Sequence, residues 1–404
     1  MGDFKFRRYW SLFTVVLVVL AVGSIYNFLT ISPSTSSAHL SSKGTTESPH
    51  PNADPAAADG SPYTTTSYFD EAFNFKKIEY EVKKKSPSSS SHEKPTILIL
   101  STIGKSEPYG PDRSVDDFFK TIFTLLDGNL SKFDFSIGIL SNFRNEHDKV
   151  QKYLNKNNAK LSKYFSKMTL AHAPPLEEIA GVSREMRHED AFQRVRRRLI
   201  AQCRNFLVSQ ALQNQQYILF LDTDIVSFDQ APQLLDIFYN SKKDIIVPRV
   251  VIRGHDPNPD YDLNSWRGQR TKPTPEQLSL LDSDQWDKFD YVPMDVPDQM
   301  FHFKSLSGNE DPEKLKLNHL EPLDSVGGAV LFMKSIIFRQ GAIFPTSYII
   351  GTTWDRSEGY DGIETEGICY LAKPLGYSCW GMPNIVAEHV GQRPPPAGAE
   401  AGPV

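Results

Sequence analysis

The sequence predicts an α/β domain built on a mostly parallel sheet. Short apolar runs rich in β-branched residues alternate with longer segments whose apolar residues recur every three or four positions. The short runs are continuously apolar rather than alternating, as strands covered on both faces require. The chain has 404 residues, 39% hydrophobic and 23% charged, enough to bury one large core or two small ones.

The first run, "TILIL" at 96–100, reads as a buried strand ending at Ser101-Thr102. Asp112 to Leu126 places Val115, Phe118, Phe119, Ile122, Phe123 and Leu126 on one helical face. "FDFSIGIL" (133–140) is a second strand. Glu189 to Leu212 predicts a long helix with Phe192, Val195, Leu199, Cys203, Phe206 and Leu207 facing the core. Arg194, Arg196, Arg197 and Arg198 read as a solvated face, whereas Arg204 and Asn205, nearer the return to the sheet, are ligand candidates. "YILFL" (217–221), "DIIVPRV" (244–250) and "DSVGGAVLFM" (324–333) supply further strands. Residues 269–320, rich in Pro and Asp, read as a long excursion over the site. "ETEGICYLAKPLGY" begins a helix, with Thr365 as its cap and Gly376 beyond its end.

Outside this domain, expected at 95–392, the composition changes. Tyr9 to Ile31 is an uncharged run of 23 residues, about 35 Å as a helix and enough for a bilayer core. Lys5, Arg7 and Arg8 precede it, and the next basic residue is Lys43. The basic side stays cytosolic, so residues 1–8 form a cytosolic tail and the rest lies across the membrane. A signal peptide cleaved after Ala21-Val22-Gly23 is the alternative; the length of the run favours an uncleaved anchor. Residues 32–94 are dominated by Ser, Thr, Pro and Ala and read as an extended stem, with room for a short helix between Tyr68 and Val82. Residues 393–404 read as a disordered tail.

Composition excludes several classes. A net charge of −5 argues against nucleic acid as a partner. Three scattered cysteines make no disulfide scaffold, and neither CxxC, HExxH nor GxSxG occurs. Cys369 and Cys379 either pair or stay buried as thiols, while Cys203 packs unpaired. Gly104-Lys105-Ser106 ends like a phosphate-binding loop, but Ile99 stands where the upstream glycine belongs. Asn129-Leu130-Ser131 is a glycosylation sequon for a lumenal chain.

The chemistry concentrates where "YILFL" ends in Asp222-Thr223-Asp224. Ligands of α/β sheets bind beyond the carboxyl ends of the strands, and in extended chain residues i and i+2 face one side. Two carboxylates forced together raise one pKa unless a cation compensates, and Mn²⁺ or Mg²⁺ takes such oxygen ligands. The alternative is a turn or helix-cap feature; after a buried strand, in a lumenal domain, the pattern points to transfer from a nucleotide sugar. In "YDLNSWRG", Trp266 offers a stacking face and Asn264 and Arg267 hydrogen bonds for a sugar, unless the Trp only pins a loop. Gly327-Gly328 admit a close ligand or form a plain turn. Glu364 and Glu366, at a helix start, are capping charges or contacts to an acceptor hydroxyl or a developing oxocarbenium.

"RVRRRLIAQCRNFLVSQAL" before "YILFLDTDI", followed in order by "DIIVPRV", "YDLNSWRG", "DSVGGAVLFMKS", "GAIFP", "ETEGICYLAKPLGY" and "GMPNIVAEHV", resembles the fungal Golgi mannosyltransferases of glycosyltransferase family 62 over roughly residues 95–390. The resemblance implies a GT-A fold, GDP-mannose as donor, Mn²⁺, retention of the α-configuration, and hetero-oligomeric assembly with related mannosyltransferase subunits. It implies a Golgi, single-pass type II protein acting on a mannan or N-glycan outer chain. The implied nucleotide-sugar residues are Thr102, Arg204, Asn205, Gly327 and Gly328; the metal ligands are Asp222, Asp224 and His389, with Glu364 and Glu366 beside them in catalysis. Thr223 replaces the commoner alanine of "DAD", and Gln202-Cys203 depart from "ARARN". Another nucleotide sugar or linkage, or a silent scaffold subunit, are the rival readings.

Overall fold

The chain enters its main sheet through a hairpin, Tyr63–Asp70 (β1) and Phe75–Val82 (β2), paired antiparallel along its whole length. The computed structural model describes residues 60–83, 94–104, 107–176, 190–254, 258–289 and 300–391, all inside one compact unit running from Pro51 to Val404. The expected tail, anchor, most of the stem, and residues 392–404 lie outside the described residues. Among the described residues no helix is long and apolar enough to cross a membrane.

The hairpin corrects two expectations. The segment 68–82 holds no helix, and the domain begins before residue 95. Alternation in "IEYEV" puts Ile78 and Tyr80 in one core while Glu79 and Glu81 point away, and Phe75, on the opposite face, is buried in the other core.

Next come Thr96–Ile103 (β3), helix Val115–Leu126 (α1), Asp134–Ser141 (β4), helices Arg144–Lys156 (α2) and Asn158–Leu161 (α3), and Phe165–His172 (β5). Asp190–Ala211 (α4) leads to Tyr217–Leu221 (β6) and Ile225–Phe228 (β7), then Ala231–Asn240 (α5) and Ile245–Ile252 (β8). Trp266–Gly268 (β9) and Met300–His302 (β10) pair as a separate ribbon flanking helix Pro275–Asp282 (α6). Glu321–Leu323 (β11), Val330–Lys334 (β12), helices Ile336–Arg339 (α7) and Thr365–Ala372 (α8), and Cys379–His389 (β13) complete the fold.

The sheet order is β1-β2-β5-β4-β3-β6-β12-β8-β13-β11, with β7 also on β13. Strands β5, β4, β3 and β6 run parallel to one another, as do β8 and β13. The other six pairings are antiparallel, including β12 between β6 and β8, so the sheet is mixed rather than mostly parallel. The cause of the misreading is visible: "VLFM" of β12 is buried on both faces, and a doubly covered antiparallel strand reads like a parallel one.

Alternate residues of β3 serve two cores. Ile97 and Ile99 pack with α1, α2 and α5; Leu98 and Leu100 pack with α4, α7 and α8. Thr365 is the first residue of α8, not its cap; Glu364 holds that place at φ +56°, and Gly376 ends the following turn left-handed at φ +88°. Cys369 and Cys379 form a disulfide and Cys203 is a buried thiol. Asn129 contradicts the glycosylation expectation. It is fully buried, and its Nδ2, the atom a glycan would occupy, donates to the carbonyls of Leu125 (3.1 Å) and Pro232 (2.9 Å).

The hairpin supplies a test. Tyr63, Phe75, Ile78 and Tyr80 are all buried, each worth roughly 1.5–3 kcal/mol, against a total stability of about 5–15 kcal/mol. A chain starting at Lys94 should lose cooperative melting by circular dichroism, while one starting at Gly60 should keep it. Mass spectrometry should find Asn129 unmodified.

Candidate functional site

Strand β6 ends at Leu221, and the chain then turns: the Ile225 N–H donates to the Asp222 carbonyl at 3.3 Å. Asp222 and Asp224 therefore approach one another across a turn, not by strand alternation. Thr223 is buried and donates to the carbonyl of Pro108, anchoring the turn to the loop before α1. The Asp222 N–H donates to Ala329 (2.9 Å), and the Val390 N–H to the Asp224 carbonyl (3.0 Å). The site thus forms where the carboxyl ends of β6, β8 and β13 meet the amino end of β12. Thr102, half-buried at the end of β3, continues a parallel register that pairs Leu100 with Phe220, so it lies level with Asp222.

Arg204 is the centre. Only 4% exposed, it projects from α4 and donates to Asp222 Oδ1 (3.0 Å), the Gly328 carbonyl (2.9 Å) and the Glu364 carboxylate. Asp222 keeps 36% side-chain exposure against 18% for Asp224, so the site opens to solvent at Asp222. Burial raises the Asp222 pKa; Arg204 opposes that, and the nearby Asp224 and Glu364 add to it.

Glycines 327 and 328 are needed for internal reasons. A Cβ at Gly328 would overlap the Arg204 guanidinium, and one at Gly327 the Asp262 carboxylate. Asp262, which the sequence reading passed over, has its pKa pushed up to about 6, chiefly by burial, although its carboxylate accepts the Asn264 N–H at 3.2 Å. Its signal was present in "YDLN", a carboxylate one residue after an aromatic. That aromatic, Tyr261, was also missed: it stacks on His389 with ring centroids 3.7 Å apart.

Several expected ligand contacts are occupied by the protein itself. Asn205 uses both amide atoms on the Phe344 backbone, at 2.7 and 3.0 Å, and is a positioning residue. Trp266 is 1% exposed, so it offers no face to a sugar. Asn264 accepts from Arg197 at 2.8 Å, and Arg267 pairs with Glu321 at 3.2 Å and covers Phe301. Arg197 also binds Glu366; burial, Arg197 notwithstanding, pushes the Glu366 pKa to about 7. Nor is the arginine face of α4 solvated: Arg194 and Arg198 both reach Glu358, at 2.8 and 2.6 Å.

His389 Nδ1 lies 2.7 Å from the Val390 carbonyl, which only accepts, so Nδ1 carries the proton. Its Nε2 is buried and sits 3.0 Å from Asp224 Oδ2, an ion pair when the ring is protonated. Burial works against a charged ring, but Asp224 outweighs it and raises the His389 pKa. A buried Nε2 whose tautomer is fixed from the other side, beside two carboxylates, fits a Mn²⁺-type donor set. Among the described residues no three such groups are already gathered as a metal cluster; Asp222 is turned to Arg204.

Together these features define a mixed α/β domain with an acidic, arginine-centred cleft at one sheet edge. The family model described as Anp1 matches residues 75–348, and the chain belongs to that family. It is 29% identical over 211 residues to the mannan polymerase complex subunit mnn9 of Schizosaccharomyces pombe, covering 52% of this chain and 57% of the relative. It is 28% identical over 225 residues to the mannan polymerase I complex VAN1 subunit of Saccharomyces cerevisiae, covering 53% and 37%. The chain spans about half the length of the curated relatives it matches. Among solved structures, GalNAc-T7 with UDP, GalNAc and Mn²⁺ aligns with a TM-score of 0.35 and 13% identity, over 76% of this chain and 46% of that one.

Two stability measurements follow. Arg204→Ala leaves Asp222 and Glu364 without their cation and should cost about 3–5 kcal/mol; Arg204→Lys should rescue only part, lacking the planar fork. For Asp262, a raised folded pKa means the folded state holds its proton more tightly. The penalty is absent below the unfolded pKa near 3.8 and complete above about 6. Asp262→Asn should therefore flatten the decline in stability across that window, by on the order of 2 kcal/mol, in denaturant titrations from pH 4 to 7.

Proposed function

We propose that this chain is a GT-A-type, metal-dependent, retaining α-mannosyltransferase using GDP-mannose. Its acceptor is a mannan or N-glycan outer chain, and it works in a hetero-oligomer with related mannosyltransferase subunits. Residues 9–31 anchor it in the Golgi membrane with the domain lumenal. The observation carrying the reading is Asp222 and Asp224 on one turn at the carboxyl end of β6, with His389 Nε2 3.0 Å from Asp224. The relatives' designation as mannan polymerase subunits supports the substrate class.

In this reading Asp222, Asp224 and His389 hold Mn²⁺, which supplies charge stabilisation to a departing diphosphate. Arg204 keeps Asp222 and Glu364 in fixed positions, so the carboxylates need little reorganisation when the donor arrives. Thr102, level with Asp222, would meet the nucleotide, while Gly327-Gly328 let Asp262 and Arg204 close on the site. Glu364, at the start of α8, lies one guanidinium away from Asp222 and is placed for the acceptor hydroxyl.

A scaffold subunit is the second reading, and one observation favours it: Arg204 already pairs with Asp222 and Glu364, giving both carboxylates a partner without a metal. Calorimetry of the full chain with GDP, with and without Mn²⁺, separates the two, because a scaffold shows no metal-dependent binding. Asp222→Ala and Asp224→Ala should each lower transfer from GDP-mannose by about a hundredfold or more, with little change in melting temperature. Folded variants with near wild-type transfer would end the catalytic reading.

A further inference from the structure

Between Tyr348 and Asp361 the chain makes a hairpin absent from the sequence reading. Its neck is closed by backbone bonds: Ile350 N–H to the Asp361 carbonyl (3.0 Å), Tyr360 N–H to Ile350 (2.8 Å) and Gly359 N–H to Tyr348 (2.8 Å). Its tip is a β-turn in which the Arg356 N–H donates to Thr353 at 3.2 Å, leaving Trp354 and Asp355 at the two central positions. Gly351 and Gly359 let the arms close, since a Cβ at either would collide with the Tyr360 ring or the Ile350 carbonyl.

The hairpin is braced on several sides. Glu358 takes Arg194 and Arg198, Asp361 takes Arg270, and Arg356 reaches Asp282 of α6. Tyr348 stacks on Trp286 at 5.5 Å and 7°, and Arg194 covers the far side of that indole at 4.3 Å. Yet the tip presents Trp354 at 105% exposure, touching nothing. Its neighbours Thr352, Thr353, Asp355 and Ser357 are all polar and exposed. So much bracing around an unused indole makes sense only if the indole is held out for a ligand.

We propose that Trp354 is a binding platform for the distal sugars of a mannose-rich acceptor chain, a subsite beyond the donor cleft. The proposal rests on the transferase reading above for its choice of sugar. A protein-binding hot spot sits in an apolar pocket within a polar surround; here one flat ring stands alone among hydroxyls and a carboxylate. That suits a pyranose, whose C–H face packs on an aromatic ring while its rim hydroxyls take hydrogen bonds. The hairpin base joins the site through Asp361 and Arg270, whose guanidinium also donates to the Glu366 carbonyl at 3.2 Å. The tip stands four residues past Ile350, at most ~14 Å from it along the chain.

Calorimetry of the full-length chain in detergent tests this, with a linear α-mannopentaose, an α-mannobiose, and GDP with Mn²⁺ as probes. Trp354→Ala should weaken pentaose binding about tenfold, a loss equal to one good aromatic contact, and leave biose and GDP binding and the melting temperature unchanged. Trp354→Tyr should restore most of the loss. Unchanged pentaose binding, with GDP binding intact, overturns the platform and spares the transferase reading. Wild-type chain that binds neither GDP nor mannosides overturns both. Trp354→Ala that binds pentaose normally but no longer co-purifies with a co-expressed related subunit makes the tip a protein contact, and the glycan platform falls.

Discussion

Burying one guanidinium organises the site. Arg204 is removed from water, and an unpaired charge there would cost several kcal/mol. The surrounding backbone accordingly makes room for its partners. Residue 328 must lack a side chain, because the guanidinium fills that space, and its carbonyl accepts one of the N–H groups. Glu364 sits at φ +56° at the head of α8 while its carboxylate meets Arg204. Such a backbone is rare for a residue with a side chain, and it persists because the pairing over-determines it. The Phe344 ring lies 5.7 Å from the same guanidinium, in a segment pinned by Asn205 one residue on from Arg204.

Helix α4 extends this logic toward its amino end. Positions 194, 197, 198, 204 and 205 fall on one helical stripe, and that stripe faces the segment 344–366 rather than solvent. Glu358 takes two of the arginines, Glu366 a third and Glu364 a fourth. The apolar stripe packs on the sheet through Leu207, Val208 and Ala211. One helix therefore fixes the sheet on one side and the acidic segment on the other.

What the sequence revealed follows what is local. Apolar runs located β3, β4, β6 and β8 within a residue or two, and the 3.6-residue period located α1 and α4, because burial is written into each segment. Strand direction was not, since a run buried on both faces looks the same either way. The hairpin β1–β2 was hidden by the polar stretch around it, although "IEYEV" alternates. At the site, Asp222, Asp224 and Arg204 were legible as charges next to a buried strand, whereas Trp266 and Asn129 were misjudged. A Trp among polar residues and an Asn in a sequon carry no mark of burial until distant chain covers them. The arginines of α4 show the same limit: their partners lie about 160 residues away, and periodicity cannot tell water from a facing acidic segment.

The charge around Asp222 remains unbalanced after these pairings. Glu366 is matched by Arg197 and Asp224 lies 3.0 Å from His389 Nε2, but Asp222 and Glu364 share Arg204, which also acts on Asp262. Arg113, which binds the Ile225 and Tyr109 carbonyls, acts on Asp224 only from a distance. Burial first, and the neighbouring carboxylates with it, make Asp222 and Asp262 both hold their protons more tightly than an ordinary carboxyl group. Domains do not gather surplus buried carboxylates for stability, since each one repels the rest. Negative charge kept at an opening, with Asp222 facing solvent, is what the Mn²⁺ proposed above would meet.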